Sequence, residues 1–192
     1  MTLLILGLVL FIGMHSVSIV APSWRDRVAA RMGEIPWKGL YSLVSLAGFV
    51  LVVWGYGQAR LEPVVLYVPP IWTRHLTLLL MVPVFPMLLA TYLPGRIQTT
   101  LKHPMLSAVK LWAFAHLLAN GNLADVVLFG TFLAWASADR ISLRSRTPLP
   151  VPGAPPGKAN DWIVLIAGLA LYGAFLVWLH AWLIGVSPLP VR

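Results

Sequence analysis

Six stretches of the chain, each at least 16 residues long, carry almost no charged side chains. A helix needs roughly 20 mostly apolar residues to cross a bilayer, with a range of about 17 to 25. The sequence therefore predicts an all-α fold, a polytopic membrane helical bundle that forms a single integral membrane domain over residues 1–192. The six predicted transmembrane helices are 2–22, 39–58, 72–92, 104–120, 123–138 and 162–186.

The composition excludes the other common classes of protein. Apolar residues make up 59% of the chain and charged residues only 10%, whereas soluble domains have about 25% charged residues. A water-soluble globule and a disordered chain are therefore both excluded. The chain has no cysteine, which excludes a disulfide framework, a thiolate nucleophile and a cysteine-ligated cluster.

The basic residues are unevenly distributed between the two ends of the predicted spans. One side has Arg60, Arg74 and Arg192, and the other side has Arg25, Arg27, Arg31, Lys38, Arg96, Lys102, Lys110, Arg140, Arg144, Arg146 and Lys158. The positive-inside rule places the larger set in the cytoplasm, so both termini are predicted on the non-cytoplasmic side. Because these residues lie in short connections and form no continuous basic element, we expect membrane lipids and not nucleic acid as partners.

Prolines and an Asn-Gly-Asn sequence predict the irregular positions of the bundle. Pro83 and Pro86 remove helical hydrogen bonds within the third span and predict a kink there. Gly121 suits a left-handed helix C-terminus, and Asn122 with Asp125 suits the start of the next helix. Five prolines in residues 140–160 predict an extended cytoplasmic linker with no core of its own. They are Pro148, Pro150, Pro152, Pro155 and Pro156.

The five histidines are the main candidates for chemistry. An ionisable side chain inside hydrocarbon is a functional candidate by default, because its polar atoms need a partner or a ligand. Counting along the predicted helices places His15 and His116 near the middle of the membrane. His75 and His180 are predicted near the outer surface, in interfacial or structural roles or as holders of a second ligand, and His103 is predicted to cap a helix.

Two neutral imidazoles at one level of a bundle suit a haem iron, which takes an axial nitrogen from each side. Zinc suits His15 and His116 less well, because it needs about four close ligands. Buried hydrogen bonding is the alternative to ligation. Trp112 and Asn120 lie one helical turn on either side of His116 and could supply a wall and a polar contact to a ligand, although Trp112 suits simple packing equally well. Gly13 permits close helix approach or leaves room for a planar ligand.

Four short motifs resemble the NnrU family, which includes bacterial proteins associated with nitrite and nitric oxide respiration and is similar to plant and cyanobacterial zeta-carotene isomerase. The resemblance covers roughly residues 1 to 145. The motifs are Gly13-Met14-His15-Ser16, Lys102-His103-Pro104-Met105, the stretch from Trp112 to Gly121 that contains Ala115-His116-Leu117-Leu118-Ala119-Asn120, and Ala138-Asp139-Arg140.

The resemblance implies a cofactor and two candidate functions. It implies a non-covalent haem b with His15 and His116 as its two iron ligands, in a multi-pass protein of the bacterial inner membrane. The first function is redox-controlled cis–trans isomerisation of an apolar polyene. The alternative is a non-catalytic haem protein or accessory factor that supports a respiratory reductase in nitrite or nitric oxide reduction.

Overall fold

The computed structural model describes residues 1–146 and 150–189 of the chain, and this part contains helices and no strands. Pro148 of the predicted linker and Arg192 of the charge count lie outside the described residues. The helices are α1 (Thr2–Val20), α2 (Pro22–Met32), α3 (Glu34–Ala59), α4 (Ile71–Met81), α5 (Val84–Ala90), α6 (Arg96–Leu101), α7 (Pro104–Ala119), α8 (Leu123–Ser142), α9 (Asn160–Ala174) and α10 (His180–Ile184), and a π-helical turn (Phe175–Leu179) joins α9 to α10.

The chain divides into two compact units. Unit 1 contains Met1–Val68 and Asn120–Arg146, and therefore α1, α2, α3 and α8. Unit 2 contains Pro69–Ala119 and the described residues from 150 onwards, and therefore α4 to α7, α9 and α10. The single membrane domain over residues 1–192 stays a prediction.

In unit 1, glycines bring α1 and α3 into backbone contact. A Cβ added to Gly7 would lie 2.7 Å from the carbonyl carbon of Leu51, and one added to Gly48 would lie 2.6 Å from the amide nitrogen of Phe11. The pairing shows that the two helices run antiparallel, since residue numbers rise along α1 as they fall along α3. Small residues permit such close approach between membrane helices.

Helix α8 completes unit 1 and begins with the predicted cap. Asn122 and Asp125 form a capping box, in which each side chain accepts a hydrogen bond from the backbone of the other, so this prediction is confirmed. The hydroxyl of Tyr56 on α3 donates a second hydrogen bond to Asp125, with an oxygen–oxygen distance of 2.6 Å. The carboxylate is 3% exposed, and these bonds satisfy it inside the unit.

Residues 64–67, which we call the strap, hold the start of α8. The amides of Leu66 and Tyr67 donate to the carbonyl of Gly121 at 2.9 and 3.2 Å, and the amide of Leu123 donates to the carbonyl of Val64 at 2.8 Å. A Cβ on Gly121 would overlap the Tyr67 carbonyl. Glycine is therefore required at position 121 by the close approach of another backbone.

The prediction that Gly121 adopts a left-handed conformation is wrong. Among the described glycines, only Gly33 and Gly185 have a positive φ. A glycine that directly follows a helix predicts a left-handed, helix-ending conformation. In the structure, Gly121 is needed for a different reason: it has no side chain that would clash with the strap. The pattern alone cannot separate these two uses, because both require glycine.

In unit 2, the prolines break the third predicted span into α4 and α5, which confirms the expected kink. The break falls at Val82 and Pro83, where the amide of Val82 donates to the carbonyl of Leu79 at 3.2 Å. An α-helix would pair that amide with Leu78. The hydroxyl of Tyr172 on α9 instead donates to the Leu78 carbonyl at 2.8 Å. Helix α9 therefore supplies the hydrogen bond that the Leu78 carbonyl would otherwise receive from the Val82 amide.

Helix α9 packs closely on α5 and runs antiparallel to it. A Cβ on Gly168 would lie 2.5 Å from the nitrogen of Pro86, and the rings of Phe85 and Phe175 are 4.8 Å apart between centroids. The core on the other side of α5 reaches α7. Its members are the buried Val84, Met87 and Ala108, with Met81, Leu88, Leu101, Leu111 and Trp112 packed against them.

The proline-rich linker is attached to unit 2 through polar bonds. The buried side chain of Asn160 donates to the carbonyls of Pro94 and Pro155 at 2.8 and 3.0 Å. The amide of Ala154 donates to the carbonyl of Tyr92 at 2.8 Å. The predicted linker, 140–160, begins too early, because residues 140–142 belong to α8. Residues 150–157 contain no helix, and these bonds attach them to the segment before α6.

Four described helical segments are long and apolar enough to cross a membrane: Thr2–Val20, Glu34–Ala59, Ile71–Ala90 and Asn160–Ile184. Helix α7 has 16 residues and rises only about 24 Å. Helix α8 has 20 residues, with charged side chains at Asp125, Asp139 and Arg140. The chain is an all-α membrane protein, and six spans with both termini outside stay a prediction.

Candidate functional site

His15 lies inside unit 1, in an aromatic environment made by three helices. Its ring centroid is 4.2 Å from that of Phe11 on α1, 5.3 Å from Tyr41 on α3 and 5.9 Å from Trp135 on α8. Its Nδ1 lies 2.7 Å from the carbonyl oxygen of Phe11. Because a carbonyl only accepts, Nδ1 carries the proton and donates, and Nε2 is the unprotonated nitrogen of the ring.

An unsatisfied donor lies beside this ring. The indole Nε1 of Trp135 is buried and has no hydrogen-bond partner in the described structure. A buried indole N–H normally finds an acceptor, because leaving it without one costs about 1 to 3 kcal/mol. At the end of α8, Asp139 accepts hydrogen bonds from Arg146 and from the hydroxyl of Ser142, so this carboxylate is already engaged.

A shallow apolar groove runs along the outside of α1 and α8, next to His15 in sequence. Its volume is about 400 Å³. Gly13 is part of the groove, and a Cβ added to it would meet no atom within 4 Å. The sequence predicts that Gly13 either permits close helix approach or leaves room for a ligand. The structure favours the second role, because the space beside Gly13 is open. The groove is lined by Ile5, Leu8, Val9, Ile12, Gly13, Ser16, Val127 and Thr131.

His116 lies in unit 2, three residues before the end of α7. Its Nδ1 donates to the carbonyl of Trp112 at 2.8 Å, and the two ring centroids are 5.4 Å apart. The structure thus brings together two of the predicted site residues. On the opposite side Trp112 packs against the core of unit 2, so packing accounts for part of its ring surface. The hydroxyl of Thr77 on α4 donates to the Ala115 carbonyl at 2.8 Å and fixes α7 at this level.

Asn120, the other predicted contact of His116, belongs to unit 1. Its carbonyl accepts a hydrogen bond from the Tyr67 hydroxyl at 2.8 Å. The backbone of Asn120 therefore helps to hold the strap in place. Burial raises the pKa of Tyr67 above its usual range, which favours the protonated hydroxyl that donates this bond. The role of the Asn120 side chain toward a ligand stays a prediction.

The structure places a second histidine beside His116. The ring of His180, at the start of α10, lies 6.4 Å from the His116 ring between centroids, with an angle of 18° between the planes. The sequence predicts His180 near the outer surface and does not predict this pairing, because nothing in the sequence indicates the π-helical turn that precedes it. His75 is exposed on α4, and His103 directly precedes α7, whose first residue is Pro104 as predicted.

The histidines can be compared with what a metal ion or a haem iron requires. Within residues 1–146 and 150–189 no group of three or more His, Asp or Glu side chains could hold a metal ion. A porphyrin supplies four nitrogens and leaves two axial positions, so histidines that present Nε2 are sufficient. His15 and His116 are both anchored through Nδ1 to the carbonyl four residues earlier, which fixes the ring as metal-binding histidines require.

Comparison with known proteins identifies the family. No curated protein and no solved structure gives a match. The family model described as NnrU protein matches residues 3–188. The match continues through the linker and the last helical segment. The family resemblance therefore extends beyond residue 145, where the motifs suggested that it ends. Because the match covers nearly the whole chain, this protein belongs to the NnrU family.

Proposed function

We propose that the chain is a haem b-binding protein of the bacterial inner membrane, with six spans and both termini on the non-cytoplasmic side. Helix directions within each unit support this topology. In unit 1, α1 is antiparallel to α3, as the glycine contacts show. It is parallel to α8, because Phe11 lies next to Phe132 and the later residue His15 lies next to the later residue Trp135. These three helices correspond to the first, second and fifth predicted spans. If the spans cross the membrane in alternating directions, the first and fifth run in one direction and the second runs in the other.

The proposed iron ligands are His15 and His116. The single observation that carries this assignment is the common anchoring of the two rings, with Nδ1 donating to the carbonyl four residues earlier at 2.7 and 2.8 Å. Each bond holds its ring in one orientation, and Nε2 is the nitrogen that would bind iron. When bound, the haem would supply an iron whose ligation changes with its redox state.

An absorption spectrum of the detergent-purified protein, oxidised and reduced, tests the assignment. We expect a low-spin haem b spectrum in the wild type, at least a tenfold loss of haem affinity in His116→Ala, and an altered spectrum in His15→Ala. His75→Ala is the matched control, because His75 is an exposed histidine on α4 and its removal should change nothing. A wild-type spectrum that survives both the His15 and the His116 substitution would exclude these ligands.

The proposed reaction is cis–trans isomerisation of an apolar polyene. The groove between α1 and α8 supports this substrate class, because its walls are almost entirely apolar and it includes Gly13 and Ser16, which flank His15 along α1. An extended hydrocarbon needs an apolar surface that opens toward the lipid, and the groove provides one.

Filling the groove tests whether it takes the polyene. Gly13→Leu places a side chain in the open space above Gly13, so we expect at least a tenfold slower isomerisation with an unchanged haem spectrum. Gly39→Leu adds the same bulk at an open position of α3 and is expected to be neutral. The assay is pigment chromatography of cells that accumulate a cis-carotene.

Two outcomes of that assay would contradict the enzymatic proposal. Unchanged isomerisation in Gly13→Leu would remove the groove as the substrate site. Unchanged pigment in cells that contain haem-loaded wild-type protein would remove the reaction. Copurification with subunits of a nitrite or nitric oxide reductase would then favour the accessory role.

A further inference from the structure

We propose that α2 lies along the membrane surface and binds the phosphate groups of anionic phospholipids through Arg27 and Arg31. Neither the proposed haem nor the proposed reaction involves this helix. Three features of unit 1 support the assignment: the direction of α2, the exposure of its two arginines, and the apolar side chains beside them.

Helix α2 runs across the end of the antiparallel pair formed by α1 and α3. The contacts at Gly7 and Gly48 set a register in which Val20, the end of α1, is level with Lys38. Helix α3 begins at Glu34, only about 6 Å further along the axis. Helix α2 has 11 residues and is about 16 Å long, and a single residue joins it to α3. It therefore cannot continue along the α1 axis and turns aside.

A proline and a glycine fix the two ends of α2. Pro22 is its first residue, where a missing amide hydrogen has no cost. The same proline disfavours the helical conformation at Ala21, which has φ −142° and ψ 53°, so α1 ends there. Gly33 then adopts φ 90°, which glycine tolerates best. Because α1 and α3 are long and apolar enough to cross a membrane, these two corners place α2 at its surface.

One face of α2 packs on the rest of unit 1. Arg25, Val28 and Ala29 on this face are half-buried. At the start of the helix, the ring of Trp24 lies edge-on to the buried ring of Trp37 on α3, with centroids 6.1 Å apart. These contacts fix the rotation of α2 about its axis, and so they determine which side chains point away from the protein.

Arg27 and Arg31 point away from the protein, one helical turn apart. In the part of the chain that the structure describes, neither side chain forms an ion pair or a hydrogen bond. Arg25, the third arginine of α2, instead pairs with Asp26 at 2.7 Å. A guanidinium group donates two parallel hydrogen bonds to a phosphate. Two unpaired guanidinium groups on one exposed face therefore suit phosphate groups.

Exposed apolar side chains beside the arginines favour a lipid headgroup over an anion dissolved in water. Trp24 is about half exposed, Met32 is exposed at the end of α2, and Ile35 at the start of α3 is 84% exposed. Tryptophan is enriched at membrane interfaces, and helices with arginine on one side and apolar residues on the other lie in the interface plane. An anionic phospholipid supplies both a phosphate for the arginines and hydrocarbon for these side chains.

Native mass spectrometry of the full-length protein in detergent tests the inference. The probes are phosphatidylglycerol, phosphatidylcholine with the same acyl chains, and inorganic phosphate. We expect the wild type to bind phosphatidylglycerol at least tenfold more tightly than phosphatidylcholine, since basic residues at the surface attract anionic lipids. Arg27→Gln/Arg31→Gln should lose this preference. Arg74→Gln is the control, because it removes an exposed charge from α4, and it should keep the preference.

A spin label tests the position of α2 without removing either arginine. The chain has no cysteine, so Ala30→Cys, at an exposed position of α2, carries the only label. In vesicles of phosphatidylglycerol and phosphatidylcholine, we expect electron paramagnetic resonance to place this label at the depth of the phosphate groups. This measurement also decides the matter if the double arginine variant fails to fold.

Four results would overturn the inference. Equal wild-type affinity for the two lipids would mean that no anionic headgroup is recognised. An unchanged preference in Arg27→Gln/Arg31→Gln would place the headgroups elsewhere on the protein. Binding of inorganic phosphate without a lipid preference would indicate a site for a dissolved anion. A label in bulk water, away from the phosphate groups, would refute the position of α2 at the membrane surface.

Discussion

Replacing Gly55 with leucine is expected to prevent unit 1 from folding. A Cβ at position 55 would lie 2.6 Å from the carbonyl carbon of Leu3 and 2.7 Å from the Cα of Leu4. These neighbours are backbone atoms of α1, which cannot move aside as a flexible side chain would. The cost should reach about 3 kcal/mol or more, at the upper end for overpacked cores. The measurement is the yield of monodisperse protein in detergent and its thermal unfolding.

Gly57→Leu is the control for this substitution. Gly57 lies on the same helix, two residues further on, and a Cβ there would meet no atom within 4 Å. The two variants change hydrophobicity and helix propensity equally, so a difference between them reports the packing of α1 on α3. Equal stability of Gly55→Leu and Gly57→Leu would show that the helices do not approach at Gly55.

The positions of the apolar helices could be predicted from the sequence, because the membrane requires long uncharged runs. Two of their limits could not, since α3 begins five residues before the predicted span 39–58 and α8 ends four residues after the predicted span 123–138. The third predicted span, 72–92, corresponds to α4 and α5 at 71–90, and Pro83 marks its interruption. The capping role of Asn122 and Asp125 was also predictable, since their spacing is a local signal. In each case the deciding interaction lies within a few residues of chain.

Contacts between distant residues could not be predicted in the same way. Gly55 and Gly57 look alike in the sequence, yet one meets a backbone and the other meets open space. The partners of His15 in unit 1, Tyr41 and Trp135, come from two other helices. Their proximity depends on which face each helix turns toward its neighbours. The sequence does not indicate that face, because these helices are apolar on all sides.

His180 illustrates a second limit of sequence analysis. Its direction depends on the π-helical turn that ends at Leu179 and on the left-handed Gly185. A glycine near a helix end suggests the second feature, but no residue pattern indicates the first. A depth count that assumes a regular helix therefore gives the level of His180 in the membrane and leaves its facing direction undetermined.

Replacing Asp125 with leucine is expected to lower the free energy of unfolding. It leaves a buried hydroxyl without its acceptor, at a cost of about 1 to 3 kcal/mol, and it removes a helix cap, at a cost of about 0.5 to 2 kcal/mol. The Tyr56 hydroxyl would lose its acceptor at 2.6 Å, and the amide of Asn122 would lose its acceptor at 3.2 Å. The start of α8 would lose its capping box as well. Titration with a denaturing detergent, followed by tryptophan fluorescence, measures the change.

A double-mutant cycle identifies the contribution of the tyrosine. Tyr56→Phe and Asp125→Asn should each destabilise the protein, and the double variant should lose less than their sum, with a coupling of about 0.5 to 3 kcal/mol. Glu34→Gln is the control, because the Glu34 side chain is 76% exposed and pairs with the exposed Lys38, and surface pairs contribute little. Additive losses at Tyr56 and Asp125 would contradict a direct hydrogen bond between them.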